Sequence, residues 1–179
     1  MTNQTDREQL AGYDSVAFRF RPLEPTDGMA LHHLVRACPP LDTNSSYCNL
    51  LQSGHFNATS VAAVLDDELV GSVTGYRIPD RTDTLFVWQV AVHTKARGRG
   101  LAKSMLHNLL ERMMQEGVRY IETSITSDNE ASQKLFSRFA TEQQTEMVRS
   151  IMFDKELHFD GAHDTEYLYR LGPFEKVIT

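Results

Sequence analysis

Residues 84–113 read TLFVWQVAVHTKARGRGLAKSMLHNLLERM, and three textures succeed one another along them. Thr84–Val92 is the most apolar run of the chain and rich in β-formers, so it reads as a central strand. Leu101, Met105, Leu109 and Met113, with Leu106 and Leu110, recur at helical spacing. They predict a helix from residue 100 to about 115, which Gly117 is placed to end. Between strand and helix, Lys95-Ala96-Arg97-Gly98-Arg99-Gly100 sets two glycines among cations. Glycine lets the main chain approach a ligand closely and adopt positive φ. A helix that starts here aims unpaired N–H groups and the positive end of its dipole at whatever lies in front of it. These features fit a phosphate. The plainer reading is a solvated basic turn.

Tyr120–Ile125 reads as the next strand, which completes a β-loop-α-β unit. A right-handed crossover puts the loop at the carboxyl edge of the first strand, where open sheets bind ligands. Two phosphate motifs fail on inspection. A Walker A loop ending in Lys103-Ser104 needs glycine at 97 and 102, where Arg97 and Ala102 stand. A dinucleotide fingerprint begun by Gly98 and Gly100 needs a small residue at 103, where Lys103 stands. Further strands are expected at Val16–Arg21, Ser60–Leu65, Leu69–Ile78, Met147–Phe153 and Glu166–Leu171, the second and third of these joined at Asp66-Asp67-Glu68. Further helices are expected after Thr26 or Asp27, stopped by Cys38-Pro39-Pro40, over Ser46–His55 after Asn44 and Ser45, and over Asn129–Phe139. The fold class is α/β: a mixed sheet flanked by helices, forming one domain over 16–179 behind a polar tail, 1–15, that is expected to be mobile.

Composition narrows the function. A chain of 179 residues is about one domain, long enough to bury roughly 70% of its unfolded surface. A net charge of −6 leaves no basic excess for a nucleic-acid backbone. No apolar run approaches membrane-spanning length, and the opening MTNQTDREQLAGYDS has no apolar signal core. Cys38 and Cys48 match no zinc or redox spacing. A cytoplasmic protein is the expectation, with neither membrane nor nucleic acid as a partner. The cluster His158–Asp164 holds ligand types that suit zinc or iron, but in no standard spacing, and no metal is expected.

Arg97-Gly98-Arg99-Gly100-Leu101-Ala102 resembles the acyl-CoA loop of the GNAT acetyltransferases, Gln/Arg-x-x-Gly-x-Gly/Ala. Asn129-Glu130-Ala131-Ser132-Gln133-Lys134-Leu135-Phe136 is similar to a second segment of that family, Asn-x-x-Ala/Ser-x-x-Leu-Tyr/Phe. The resemblance implies the GNAT fold, with parallel strands splayed around acyl-CoA. Backbone N–H groups from about 98 to 103 would then cradle the diphosphate, with charge from Arg97 and Lys103 and with Arg99 also in the implied coenzyme site. Val90 and Val92 would pair with the thiol arm, and Gly98, Gly100, Ala102, Asn129 and Ser132 complete the implied coenzyme site. One departure matters: where many of these enzymes carry a proton-donating tyrosine, this chain has Phe136, which cannot donate.

Residues 38–56, 86–92 and 156–172 look more narrowly like the L-2,4-diaminobutyrate acetyltransferases of ectoine biosynthesis. That resemblance implies acetyl transfer from acetyl-CoA to the γ-amine of diaminobutyrate, and a homodimer. A small diamino acid needs acids for its retained ammonium and donors for its carboxylate. Asp42, Asn44, Ser45 and Tyr47 are placed to contribute these. Trp88, read as in phase with Phe86 and Val90, would form a wall. Glu166 would act as base or ammonium partner with His163 beside it. Each of these has a duller reading as cap, turn or core. Two other functions stay open: a GNAT acting on another small amine or a protein N-terminus, and a silent acyl-CoA-binding module.

Overall fold

Alternating apolar side chains give the strands two faces to cover, and helices cover both. The computed structural model describes residues 17–175. The tail 1–15 and Val16 therefore lie outside the described residues. In chain order the elements are β1 (Arg19–Arg21), α1 (Gly28–Arg36), α2 (Ser46–Gly54), β2 (Val61–Leu65), β3 (Glu68–Ile78) and β4 (Arg81–Val92). There follow α3 (Leu101–Gln115), β5 (Tyr120–Thr126), α4 (Glu130–Glu142), β6 (Met147–Phe153), α5 (Lys155–Phe159) and β7 (Glu166–Leu171). The seven strands form one sheet in the order β1-β2-β3-β4-β5-β7-β6. All neighbours are antiparallel except β4 and β5, which run parallel.

On β2, Val61 and Ala63 join the core that α3 and α4 cover, whereas Ala62 joins the smaller cluster under α1. Leu101, Met105, Leu106, Leu109, Leu110 and Met113 of α3 are all buried. At about 1.5–3 kcal/mol for each apolar side chain removed from water, that stripe anchors α3 and the glycine loop in front of it.

Two irregularities shape the middle of the sheet. The β4–β5 ladder runs from Thr84↔Tyr120 to Val87↔Thr123 and stops, while both strands continue. Beyond that point they part. On the other side of β4 the register with β3 passes from Gly75↔Val87 to Thr74↔Gln89, so Trp88 is the extra residue of a β-bulge. Gly75 sits opposite it, where a Cβ would lie 2.6 Å from the Phe86 carbonyl oxygen. The bulge reverses the alternation. Leu85 and Val87 before it and Val90 and Val92 after it belong to the α3 side, while Ala91 belongs to the α1 side. The expectation that Trp88 shares a phase with both Phe86 and Val90 is corrected: Trp88 and Phe86 both touch the Tyr76 ring, and Val90 faces the other way.

Below the split, buried Glu122 of β5 accepts hydrogen bonds from Arg81 of β4, one of them 2.8 Å, and from Arg170 of β7. Desolvation pushes its carboxyl up. The two guanidiniums outweigh that and hold it below the usual range. The remaining differences from expectation are small: α4 runs on to Glu142, β4 starts at Arg81, and α5 is a short additional helix.

Candidate active site

Where β4 and β5 part, the structure has two cavities. The first, of about 460 Å³, lies before α3 and is lined by Val92, Arg97, Gly98, Gly100, Ala102 and Lys103 together with residues of α4. Gly98 and Gly100 have φ of +73° and +72°. A Cβ at either would meet nothing within 4 Å. Backbone conformation, not crowding, therefore selects glycine at both. The first helical bond of α3 runs from the Ser104 N–H to the Gly100 carbonyl at 3.1 Å. The N–H groups of Leu101, Ala102 and Lys103 thus have no partner within the helix. Arg97, Lys103, Lys134 and Arg138 line this cavity against one carboxylate, Glu142. The Lys103 ammonium, 3.0 Å away, is the main reason that carboxyl is held below its ordinary range. Arg97 Nε donates to the Val92 carbonyl at 3.0 Å and fastens the loop to the end of β4. Arg99 points elsewhere, its guanidinium 4.4 Å from the Phe18 ring.

This cavity fits a diphosphate: glycine-permitted main chain, helix N–H groups and cationic walls. The strand edge beside it fits an extended chain. The His93 N–H bonds to the Val70 carbonyl at 2.8 Å. By antiparallel alternation, the main-chain groups of Ala91 and Gln89 then also turn to β3, and those of Val90 and Val92 turn to the split.

The second cavity, of about 380 Å³, is lined by Asp42, Trp88, Gln89, Val90, Asn129, Ser132 and Phe136, with His163 and Glu166 from the C-terminal segment. Asp128 and Asp164 add carboxylates, and among the described residues no lysine or arginine lines it. Glu166 opens β7, in register with Thr126 and Phe153. His163 packs its ring on Phe159 at 5.3 Å, in the turn that follows α5. Asn129 caps α4 by accepting from the Ser132 N–H at 3.1 Å. A cavity so charged suits a small cation. Among the described residues, no group of His, Cys, Asp and Glu is gathered as a metal site requires.

The structure sets the other expected acceptor residues apart from this cavity. Ser45 caps α2 by accepting from the Cys48 N–H at 3.1 Å. Asn44, at φ +37°, donates from Nδ2 to Gln89 Oε1 at 3.2 Å. Tyr47 is 69% exposed on α2. Sequence reading missed Gln89 and Asp128. A lone polar residue inside FVWQVAV is the signal that could have marked the first.

Helix α4 is the wall between the two cavities. Its Ala131, Lys134, Leu135 and Arg138 face the cationic one, and its Ser132 and Phe136 face the acidic one.

The profile of the acetyltransferase (GNAT) family matches residues 29–140. The chain is 55% identical over 150 residues to an L-2,4-diaminobutyric acid acetyltransferase of Methylotuvimicrobium alcaliphilum, covering 84% of this chain and 87% of that one. It is 39% identical over 169 residues to the protein of the same name in Halomonas elongata, with 94% of this chain and 88% of that one covered. Among solved structures it resembles the diaminobutyrate acetyltransferase EctA of Paenibacillus lautus in complex with L-2,4-diaminobutyric acid and coenzyme A. That match has a TM-score of 0.84 at 36% identity and covers 92% of this chain and 99% of that one. The ribosomal-protein-S18-alanine N-acetyltransferase of Escherichia coli shares the fold, with a TM-score of 0.72 at 13% identity and coverage of 91% and 98%.

Proposed function

We propose a mechanism from the premise that the chain belongs to the acetyltransferase (GNAT) family and, within it, to the L-2,4-diaminobutyric acid acetyltransferases. The chain transfers acetyl from acetyl-CoA to diaminobutyrate, a step of ectoine biosynthesis. Everything finer is our reading. The observation that carries it is the end of the β4–β5 ladder at Val87↔Thr123, with the cationic cavity and the acid-lined cavity both meeting the split.

The glycine loop, with Arg97 and Lys103, holds the diphosphate. The main-chain edge at Val90 and Val92 pairs with the thiol arm. Acetyl-CoA supplies the activated acetyl thioester at the far end of that arm. In the acidic cavity Asp42 holds one ammonium of diaminobutyrate and Trp88 forms a wall whose indole N–H is offered to the carboxylate. An alkylamine with a pKa near 10 is only about 0.1% neutral at pH 7. Glu166, directly or through water and with His163 beside it, takes the proton from the γ-amine, which then attacks the acetyl carbonyl directly. The Val90 N–H stabilises the charge that builds on the carbonyl oxygen. Phe136 has no proton to give, so as the C–S bond breaks coenzyme A departs as thiolate or takes its proton from another donor, and the new amide nitrogen releases its second proton to solvent.

We extend the reading to a cytoplasmic homodimer. The support for the dimer is the sheet edge at β6, where Val148 is 59%, Ile151 60% and nearby Leu157 83% exposed. Sedimentation equilibrium returning a monomer at micromolar concentration would remove that extension.

Thiol release measured across diaminobutyrate, ornithine, lysine and peptide N-termini tests the acceptor. The expected result is a kcat/KM for diaminobutyrate at least tenfold above the rest, with product acetylated at the γ-nitrogen. Equal rates with peptide amines would overturn the acceptor reading. No thiol release with any acceptor would leave a binding module instead.

A further inference from the structure

The bulge in β4 supplies the site with a side chain that a regular strand would have turned away. Trp88, without a register partner, keeps its ring beside Tyr76, and the next residue, Gln89, also lines the acidic cavity. Gln89 is 9% exposed. Both ends of its carboxamide are engaged, and both engage one loop. Its Nε2 donates to the Asp42 carbonyl at 2.9 Å, and its Oε1 accepts from Asn44 Nδ2 at 3.2 Å. The loop needs such a strut, because Asn44 adopts φ +37° and the Asp42 side chain is exposed at the cavity edge.

We infer that Gln89 is a positioning residue for the acceptor: it braces the 42–44 loop so that the Asp42 carboxylate stands where the ammonium of the diamino acid must sit. This rests on the assignment of Asp42 above. The chemistry calls for glutamine. One side chain must both donate and accept at a buried place, and leaving either loop group unpaired there is costly. Glutamate has the same shape but would set an oxygen against the Asp42 carbonyl oxygen. Methionine fills the volume and offers neither bond.

The test compares Gln89→Met, Asp42→Asn and the double variant, reading KM for diaminobutyrate, KM for acetyl-CoA and thermal midpoint. Asp42→Asn is expected to raise the diaminobutyrate KM at least tenfold. Gln89→Met is expected to raise it about fivefold or more with the acetyl-CoA KM within twofold of wild type. The double variant should be no worse than Asp42→Asn alone, because a strut for a missing charge has nothing left to hold. An unchanged diaminobutyrate KM in Asp42→Asn would sink the Asp42 assignment itself. A raised KM there with an unaltered one in Gln89→Met would overturn the positioning inference alone. So would effects that add, or that fall equally on both substrates. Should Gln89→Met not fold, Asn44→Gly keeps the positive φ and removes the second bond of the strut, and the same comparison applies.

Discussion

Replacing Glu122 by glutamine removes a charge that three strands share. The carboxylate is 2% exposed and contacts guanidiniums that are 46% and 32% exposed. Breaking a fully buried ion pair costs about 3–5 kcal/mol. Because Arg81 and Arg170 can rehydrate, and glutamine keeps one acceptor, the expected loss is about 2 kcal/mol. For a domain of this size that corresponds to a fall in Tm of about 4–8 °C. The carboxyl is held below its ordinary value of 4.5 in the folded protein. Its contribution is therefore complete above the unfolded-state value and is lost as pH falls through the folded one. Urea unfolding of wild type and Glu122→Gln at pH 7 should differ by the full amount, and the gap should close as the pH is taken well below 4. Coincident curves at pH 7, or a gap that widens in acid, would refute the reasoning.

Glu166→Gln should lower kcat/KM for diaminobutyrate by about 10²–10⁴ if the carboxylate takes the proton, and full turnover across the pH range would remove it from both proposed roles. Arg97→Ala with Lys103→Ala should raise the acetyl-CoA KM about tenfold or more through lost charge-assisted contacts, with the diaminobutyrate KM unaltered; wild-type coenzyme affinity, read by calorimetry, would undercut the cradle. Ser45→Ala should cost about 1 kcal/mol as a lost helix cap and leave the acceptor KM alone, whereas a severalfold rise would return Ser45 to the substrate.

Much of the fold was legible because its signals are local. The α3 stripe, the hairpin expected at Asp66-Asp67-Glu68 and the cap expected at Asn44 or Ser45 each depend on neighbouring residues, and all three stand in the structure, with Glu68 already in β3 and Ser45 as the cap. The bulge was not legible, since one unpaired residue in a twelve-residue strand alters no composition and leaves only a change of parity. Glu122 escaped notice for another reason: its partners lie 41 and 48 residues away, and no periodicity announces a long-range ion cluster. At the site, sequence marked Asp42, Trp88, His163 and Glu166, which share one cavity. It also marked Asn44 and Ser45, whose polar groups the loop and helix use themselves.

The party wall made by α4 limits how this enzyme can change. Neighbouring stripes on one helix look into two different rooms, so any rotation or slide that remodels one remodels the other. New acceptor preferences can arise without disturbing the coenzyme only on the walls that α4 does not share. The braced loop around Asp42 and the turn carrying His163 are two such walls, and variation among related chemistries should collect there.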